Sequence, residues 1–323
     1  MNEKLIPVIK FPTKILLVDD NQSFLENFSH KLQSKFLVKT FNNAKKAIQY
    51  LQDHSDTSIE SIYNIESSID QDINLEYPLI DFQKILDIVY SKERFNNVAL
   101  VFIDYSMPNQ MTGIQFCEEI KENPVRKIML TGEADNNLAV AAFNDKKIDR
   151  FILKDADGVI DEIFAAIDEE QQEYFCQLSN QIPSWKTYNK KIAKNFNSVF
   201  NDFIHKHDIV EYYQIGFSSY LLLDERATPY WFVFQSPIEK QQNITLATDN
   251  HAPKQIIDML QNNENMLFLF SEKERKLSVD KWENYIFPAM GWIDDCSYTC
   301  IGNEIFSLDV DRLVSYKTIL ALE

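Results

Sequence analysis

Glycine is scarce in this chain, with six in 323 residues. No glycine-rich loop can therefore wrap the phosphates of a nucleotide in backbone amides, which excludes that route to phosphoryl chemistry. Cysteine is scarce too. Four in this length make no disulfide framework and fit reduced thiols in a cytoplasmic setting. Long apolar runs are missing: Val98–Ile103 and Tyr230–Phe234 are far too short to cross a bilayer, so no membrane association is expected. Met1-Asn2-Glu3-Lys4 lacks a basic stretch leading into an apolar one, so no secretory leader is expected. Basic charge is in deficit. Lys and Arg number 32 against 49 Asp and Glu, and a net charge of -17 repels nucleic-acid phosphates unless a local basic face offsets it. What remains, 45% hydrophobic and 25% charged, is the balance of a soluble globular protein of about two domains.

The first half alternates strand-like and helix-like segments. Ile15-Leu16-Leu17-Val18 is a short bounded apolar run, followed by Asp19-Asp20-Asn21 and then Phe24, Phe28, Leu32 and Phe36 at helical spacing. Strands are expected at 36–41, 98–103, 127–130 and 150–153, with helices at 44–51, 114–120, 138–143 and 159–178. Alternation with short links implies an α/β fold, a doubly wound five-stranded parallel sheet whose active crevice lies beyond the carboxyl ends of the strands. One link breaks the pattern. Residues 52–97 form a long insertion whose first part, His54 to Glu76, reads as mobile, and whose second part carries Phe82, Ile85, Leu86 and Val89 at helical spacing.

After Leu178 the texture changes. A helix is expected at 184–203, then aromatic and β-branched strands at 212–223 and 230–235 flanking Asp224–Pro229. Further strands are expected at 244–246, 266–270, 298–301 and 304–308, the last two joined by Gly302-Asn303, with helices at 253–260 and 309–320. The expected division is a first domain at 1–178 and a small α+β domain at 179–323.

Asp19 and Asp20 follow the first strand, Asp104 the third, Thr131 the fourth and Lys154 the fifth. Strand ends on one edge of a parallel sheet are neighbours, so these groups converge. Three carboxylates in one pocket repel one another unless a cation neutralises them. Hard oxygen ligands with room for water and phosphate oxygens suit Mg²⁺. A hydroxyl from Thr131 and an ammonium from Lys154 complete a site able to hold a phosphoryl group, and the chemistry that fits is an aspartyl phosphate. Taken singly, each of these residues is a cap, a turn former or a solvated charge; the set is what points to chemistry.

In Ile15–Asn21, Asp104-Tyr105-Ser106-Met107-Pro108-Asn109, Leu130-Thr131-Gly132-Glu133-Ala134 and Phe151-Ile152-Leu153-Lys154 the chain resembles the receiver domains of two-component response regulators. The resemblance implies a flavodoxin-like receiver and a phosphoacceptor signalling protein that assists its own phosphotransfer and dephosphorylation. It implies Asp104 as phosphoacceptor, with Mg²⁺ held by Asp19, Asp20, Asp104 and the Ser106 main-chain carbonyl. Thr131 becomes the switch hydroxyl, Phe151 the switch aromatic, and Lys154 the phosphate-pairing lysine. The implied partner is a sensor histidine kinase or phosphotransfer protein, with a homodimer forming on phosphorylation. Three departures stand out: Asp155 where the family usually has proline, Gly113 shifted by an extra residue after the acceptor loop, and the insertion.

The output half carries 14 basic and 26 acidic residues from Ala156 to Glu323, a net of -12, and no Lys/Arg-rich recognition helix after a tight turn. Its basic cluster, Lys186, Lys190, Lys191 and Lys194, reads as a solvated helix face. Direct DNA contact is therefore disfavoured. Cys296 and Cys300, spaced by three residues, with His205 and His207 far upstream, lack the paired spacing of zinc sites, and Asp294-Asp295 beside Trp292 reads equally as a turn. No signature of a cyclic-dinucleotide synthase or phosphodiesterase is present. A binding module remains, dense in Tyr212, Tyr213, Phe217, Tyr220, Tyr230, Trp231, Phe232 and Phe234, which takes either a protein or, alternatively, a small molecule or nucleotide gated by the receiver. A receiver with such an output resembles quorum-sensing response regulators, which implies a role in quorum sensing or gene-expression control.

Overall fold

The computed structural model describes residues 5–54, 63–70, 75–108, 111–132, 136–154, 156–182, 185–216, 218–262, 264–269, 274, 277–293, 296–303 and 308–322, with backbone alone at 63–79, 136, 186–195 and 292–293. Two compact units are present. One comprises residues 10–63, 83–182 and 313–323; the other comprises 1–9, 64–82 and 183–312. The chain thus passes between units more often than a single cut at 178/179 implies.

In the first unit, strands β1 (Lys14–Val18), β2 (Leu37–Phe41), β3 (Val98–Asp104), β4 (Arg126–Thr131) and β5 (Arg150–Leu153) form a parallel sheet in the order β2-β1-β3-β4-β5. The doubly wound receiver-like sheet is therefore present, and the reason is visible in the strands. Ile15 and Leu17 of β1, with Leu100 and Phe102 of β3, face helices α1 (Gln22–Leu32) and α6 (Val159–Ser179) through Leu25, Phe28, Ile163 and Ile167. Leu16, Val18, Val101 and Ile103 face the opposite way, onto Ala47 and Leu51 of α2 (Ala44–His54), Phe116 of α4 (Gly113–Glu119) and Ala139 of α5 (Asn136–Asn144). Burial on both faces is what makes these strands continuous apolar runs.

Helix α3 (Phe82–Val89) forms where the spacing of Phe82, Ile85 and Val89 places it, with Ile85 and Val89 fully buried. The stretch before it is not uniformly mobile: Tyr63–Asp70 and Leu75–Ile80 pair as a two-stranded ribbon. Tyr63, Ile65 and Ile69, and then Leu75, Tyr77 and Leu79, recur at even spacing, a period of two that the polar composition masked. Residues 313–322 return to the first unit. There the Arg94 guanidinium donates to the Val314 carbonyl at 2.7 Å and the Tyr316 hydroxyl to the Lys35 carbonyl at 2.7 Å.

In the second unit, helix α7 (Trp185–Lys206) buries Phe196, Val199, Phe200 and Phe203 against a six-stranded sheet. Its strands include β6 (Ile209–Gly216), β7 (Ser219–Asp224), β8 (Pro229–Gln235), β11 (Gly291–Ile293) and β12 (Cys296–Ile301), all paired antiparallel. Strands β9 (Asn265–Leu267) and β10 (Ile286–Pro288) form a separate pair. Most of the dense aromatics are core: Tyr213, Tyr220, Trp231 and Phe232 are fully buried.

Three expectations for this half are corrected. The run 212–223 is two strands in a hairpin, because Gly216 and the serines after it break the pattern. Ile244–Leu246 lies inside helix α8 (Pro237–Asp249), since Ser236 and Glu239 close a capping box around Pro237 in the first turn. The final helix is only Tyr316–Leu320, α10, capped by the Ser315 side chain, and a short 3₁₀ turn at Val310–Arg312 precedes it. Helix α9 (Lys254–Gln261) lies where expected. Residues 304–307 of the expected strand at 304–308, Asp294-Asp295 and Phe217 lie outside the described residues, as do the side chains of Trp292 and of Lys186, Lys190, Lys191 and Lys194.

Candidate functional site: an acidic cluster at the strand ends

Five strand ends converge on one edge of the parallel sheet. Asp19 follows β1 directly and is buried; its Oδ1 accepts from the Asn21 amide at 2.8 Å, while the Asn21 side chain caps α1 by accepting from the Phe24 amide at 3.1 Å. Asp104 closes β3 and is buried, and Asp20 is more open. Carboxylate oxygens of Asp19, Asp20 and Asp104 lie within 4.8 Å of one another, the metal-capable cluster among the described residues. Cys296, Cys300, His205 and His207 form no such group, and Cys296 packs into the aromatic core with Cys300 against it.

Lys154 comes off β5 into the same cluster. Its Nζ lies 2.6 Å from Asp19 Oδ2 and 2.7 Å from Asp104 Oδ1. Burial works against the ammonium, but hydrogen bonds to Asp104 and Asp19 outweigh it and hold the group above the usual lysine value. Burial likewise pushes the Asp104 carboxyl above the usual carboxylate value; Lys154 opposes this, and the charges of Asp19 and Asp20 reinforce it.

Thr131 ends β4 fully buried. Its carbonyl accepts from the Lys154 amide at 2.9 Å, and its hydroxyl donates to the Gly132 carbonyl at 3.2 Å. The hydroxyl is thus bonded to the carbonyl of the next residue and not to a carboxylate of the cluster. Phe151 on β5 is half-buried, with its ring edge-to-face on Phe143 of α5 at 6.2 Å. Ser106 is exposed in the loop after β3. Asp155 lies outside the described residues, as do Asn109, Glu133 and Ala134.

The structure also adds what the residue pattern did not show. Gly113, despite the extra residue before it, lies directly against the loop after β3: its amide donates to the Tyr105 carbonyl at 2.9 Å, and an added Cβ would sit 2.5 Å from the Asp104 carbonyl oxygen. The Thr112–Gln115 capping box then starts α4 at that point. At the opposite end of the sheet, Arg126 and Arg150 share Glu170 of α6.

Residues 80–168 match the response regulator receiver domain. The match starts at residue 80, so Asp19 and Asp20 lie before it, separated from the rest of the receiver by the insertion. The chain is similar over its whole length to the response regulator LqsR of Legionella pneumophila, at 25% identity, covering 98% of that chain with a TM-score of 0.77. The likeness thus extends through the output half as well as the receiver. An adenylate cyclase from Rhodopirellula baltica aligns at 22% identity over 53% of this chain and 95% of its own, with a TM-score of 0.36. A receiver domain protein from Clostridium thermocellum aligns at 16% over 52% and 95%, with a TM-score of 0.30. Scores that low bear on nothing further. No curated protein sequence matches the chain. No helix among the described residues is long and apolar enough to cross a membrane.

The charge arrangement has a measurable consequence. A carboxyl whose folded-state affinity for protons is raised contributes stability at low pH and loses it as pH rises through its folded value. In metal-free buffer, Asp104→Asn removes that loss while keeping an acceptor for Lys154. The variant is expected to be more stable than wild type at neutral pH, with the advantage shrinking as pH falls toward the ordinary carboxylate range. Urea unfolding at both pH values checks this; a wild type that is the more stable protein at neutral pH contradicts it.

Proposed function

We propose that the chain is the response regulator of a phosphorelay and that Asp104 is its phosphoacceptor. The observation that carries this reading is the geometry of Lys154, whose ammonium bridges Asp104 and Asp19 within 2.7 Å beside a third carboxylate. A histidine kinase or phosphotransfer protein supplies the phosphoryl group. An Asp104 carboxylate oxygen attacks phosphorus, the phosphorus–nitrogen bond of the phosphohistidine breaks, and the departing imidazole keeps the electron pair. Lys154 pairs with a phosphoryl oxygen and stabilises the charge that develops there.

Three hard oxygen donors so close together fit Mg²⁺; Asp19, Asp20 and Asp104 would hold it, with the Ser106 main-chain carbonyl as a further ligand. When bound it neutralises charge on the transferred oxygens. Calorimetric titration is the check: Mg²⁺ binds wild type, and Asp20→Asn weakens it by about an order of magnitude. Equal binding to both proteins contradicts the assignment.

Phosphorylation then draws the Thr131 hydroxyl from the Gly132 carbonyl toward the phosphoryl group and lets Phe151 turn inward. Phe151 touches Phe143, and Phe143, Leu138 and Val140 expose apolar surface on α5, which supports a change of surface there. The distal apolar residues of α6, Tyr174, Phe175 and Leu178, are already buried, Phe175 against Phe11 at 5.0 Å. The result is altered dimerisation or altered output contacts, in quorum sensing or gene-expression control in the cytoplasm. Likeness to the response regulator LqsR along the whole chain supports the reading as a response regulator.

A further inference from the structure

The Lys154 ammonium is bounded on three sides. Asp19 and Asp104 take two of its donor directions, and the third faces the ring of Phe24, whose centroid lies 4.4 Å from Nζ. With its side chain only 20% exposed, Lys154 has little water to replace any of the three. A ring face attracts an ammonium through its quadrupole, and the attraction grows as the ion is desolvated.

The ring is held from both ends. Its backbone amide is capped by Asn21, and the Asn21 amide is bound by Asp19, the same carboxylate that holds Lys154. Its side chain leans on Phe28 at 5.2 Å, and Phe28 meets Phe102 edge-on at 5.9 Å, two residues before Asp104. A single turn of chain therefore ties one metal-side carboxylate, the ring and the ammonium together. Mere packing of α1 needs an apolar residue at position 24; it does not need an aromatic face directed at a charge.

We propose that Phe24 is a positioning residue for phosphotransfer, its ring face keeping the Lys154 ammonium on Asp104 instead of in solvent. This rests on the reading of Asp104 as phosphoacceptor. The ring touches neither the phosphoryl group nor the attacking oxygen; it acts through Lys154. Loss of the face lets the ammonium take up water and sample positions away from Asp104, so fewer encounters find it paired to the incoming phosphoryl oxygens.

The test uses the full chain in four forms: wild type, Phe24→Leu, Phe24→Tyr and Phe24→Ala. Leucine keeps apolar contact and loses the ring; tyrosine keeps the ring. With Mg²⁺ and acetyl phosphate, intact-mass time courses are expected to show Phe24→Leu slowed about five- to tenfold and Phe24→Tyr within about twofold of wild type. Thermal unfolding confirms that each variant is folded. Phe24→Leu at the wild-type rate, or Phe24→Tyr as slow as Phe24→Leu, overturns the proposal. A second readout needs no phosphorylation: proton NMR of Lys154 should show its Cε protons shifted upfield by the ring in wild type and Phe24→Tyr, and at ordinary positions in Phe24→Leu and Phe24→Ala. Ordinary positions in wild type overturn the proposal. Upfield shifts without phosphoryl uptake by wild type instead count against Asp104 as acceptor while leaving the ring–ammonium contact standing.

Discussion

Gly113→Ala is expected to lower receiver stability by about 3 kcal/mol and to abolish most phosphoryl uptake. The new Cβ would lie 2.5 Å from the Asp104 carbonyl oxygen, 3.1 Å from the Tyr105 Cα and 3.2 Å from the Asp104 carbonyl carbon. All three are backbone atoms, so no side chain can swing aside. Relief requires moving the loop after β3 or α4, and moving the loop displaces the Asp104 side chain from the cluster. The loss of the Gly113–Tyr105 hydrogen bond at 2.9 Å adds to the cost. Gly132 provides the control. Nothing lies within 4 Å of a Cβ there, and its φ is not in the left-handed range, so Gly132→Ala should stay within about 0.5 kcal/mol of wild type. Urea unfolding of the three proteins separates the cases. A Gly113→Ala midpoint equal to that of Gly132→Ala contradicts the account of the loop.

Glu170→Ala ranks second. The Glu170 carboxylate is buried and accepts from Arg126 Nε at 2.8 Å and Nη2 at 2.7 Å, and from Arg150 Nε at 3.1 Å. It thereby fastens α6 to the start of both β4 and β5. Deleting it leaves two guanidinium groups short of an acceptor in a site with little water, at a cost of about 2–3 kcal/mol. The upper end of the usual range is not reached, because Arg126 keeps Asp149 at 2.8 Å and Arg150 keeps Glu169. Glu170→Gln, which retains acceptor oxygen and volume, should lie between the two. A change below about 0.5 kcal/mol in Glu170→Ala would show that the pairs only balance their desolvation.

The receiver sheet was legible because its two central strands, β1 and β3, are buried on both faces and each runs into an aspartate. Ile15–Val18 with Asp19, and Val98–Ile103 with Asp104, carry strand, end and chemistry in one short string. The output half carries no such markers. Ile244-Thr245-Leu246 has strand propensity, yet the capping box eight residues earlier sets a helix running through it, so a local preference lost to a boundary signal. The ribbon of 63–70 and 75–80 was hidden in a polar segment, where alternation of single apolar residues is weak.

Within the cluster, convergence of Asp19, Asp20, Asp104, Thr131 and Lys154 follows from strand order alone. What the residues could not give was the third side of Lys154. Phe24 reads from its spacing as one more apolar residue on α1, and only the turn set by Asn21 aims its ring at the ammonium. Gly113 misled for a similar reason: its shift along the chain says nothing of where the loop closes in space. Glu170 was invisible as a partner of Arg126 because 44 residues separate them.

The central claim is that Asp104 accepts a phosphoryl group. Full-length wild type and Asp104→Asn, each incubated with Mg²⁺ and acetyl phosphate, are to be compared by intact mass. Wild type should gain the mass of one phosphoryl group and Asp104→Asn none. A gain of equal size in both proteins, or in neither, would contradict the assignment.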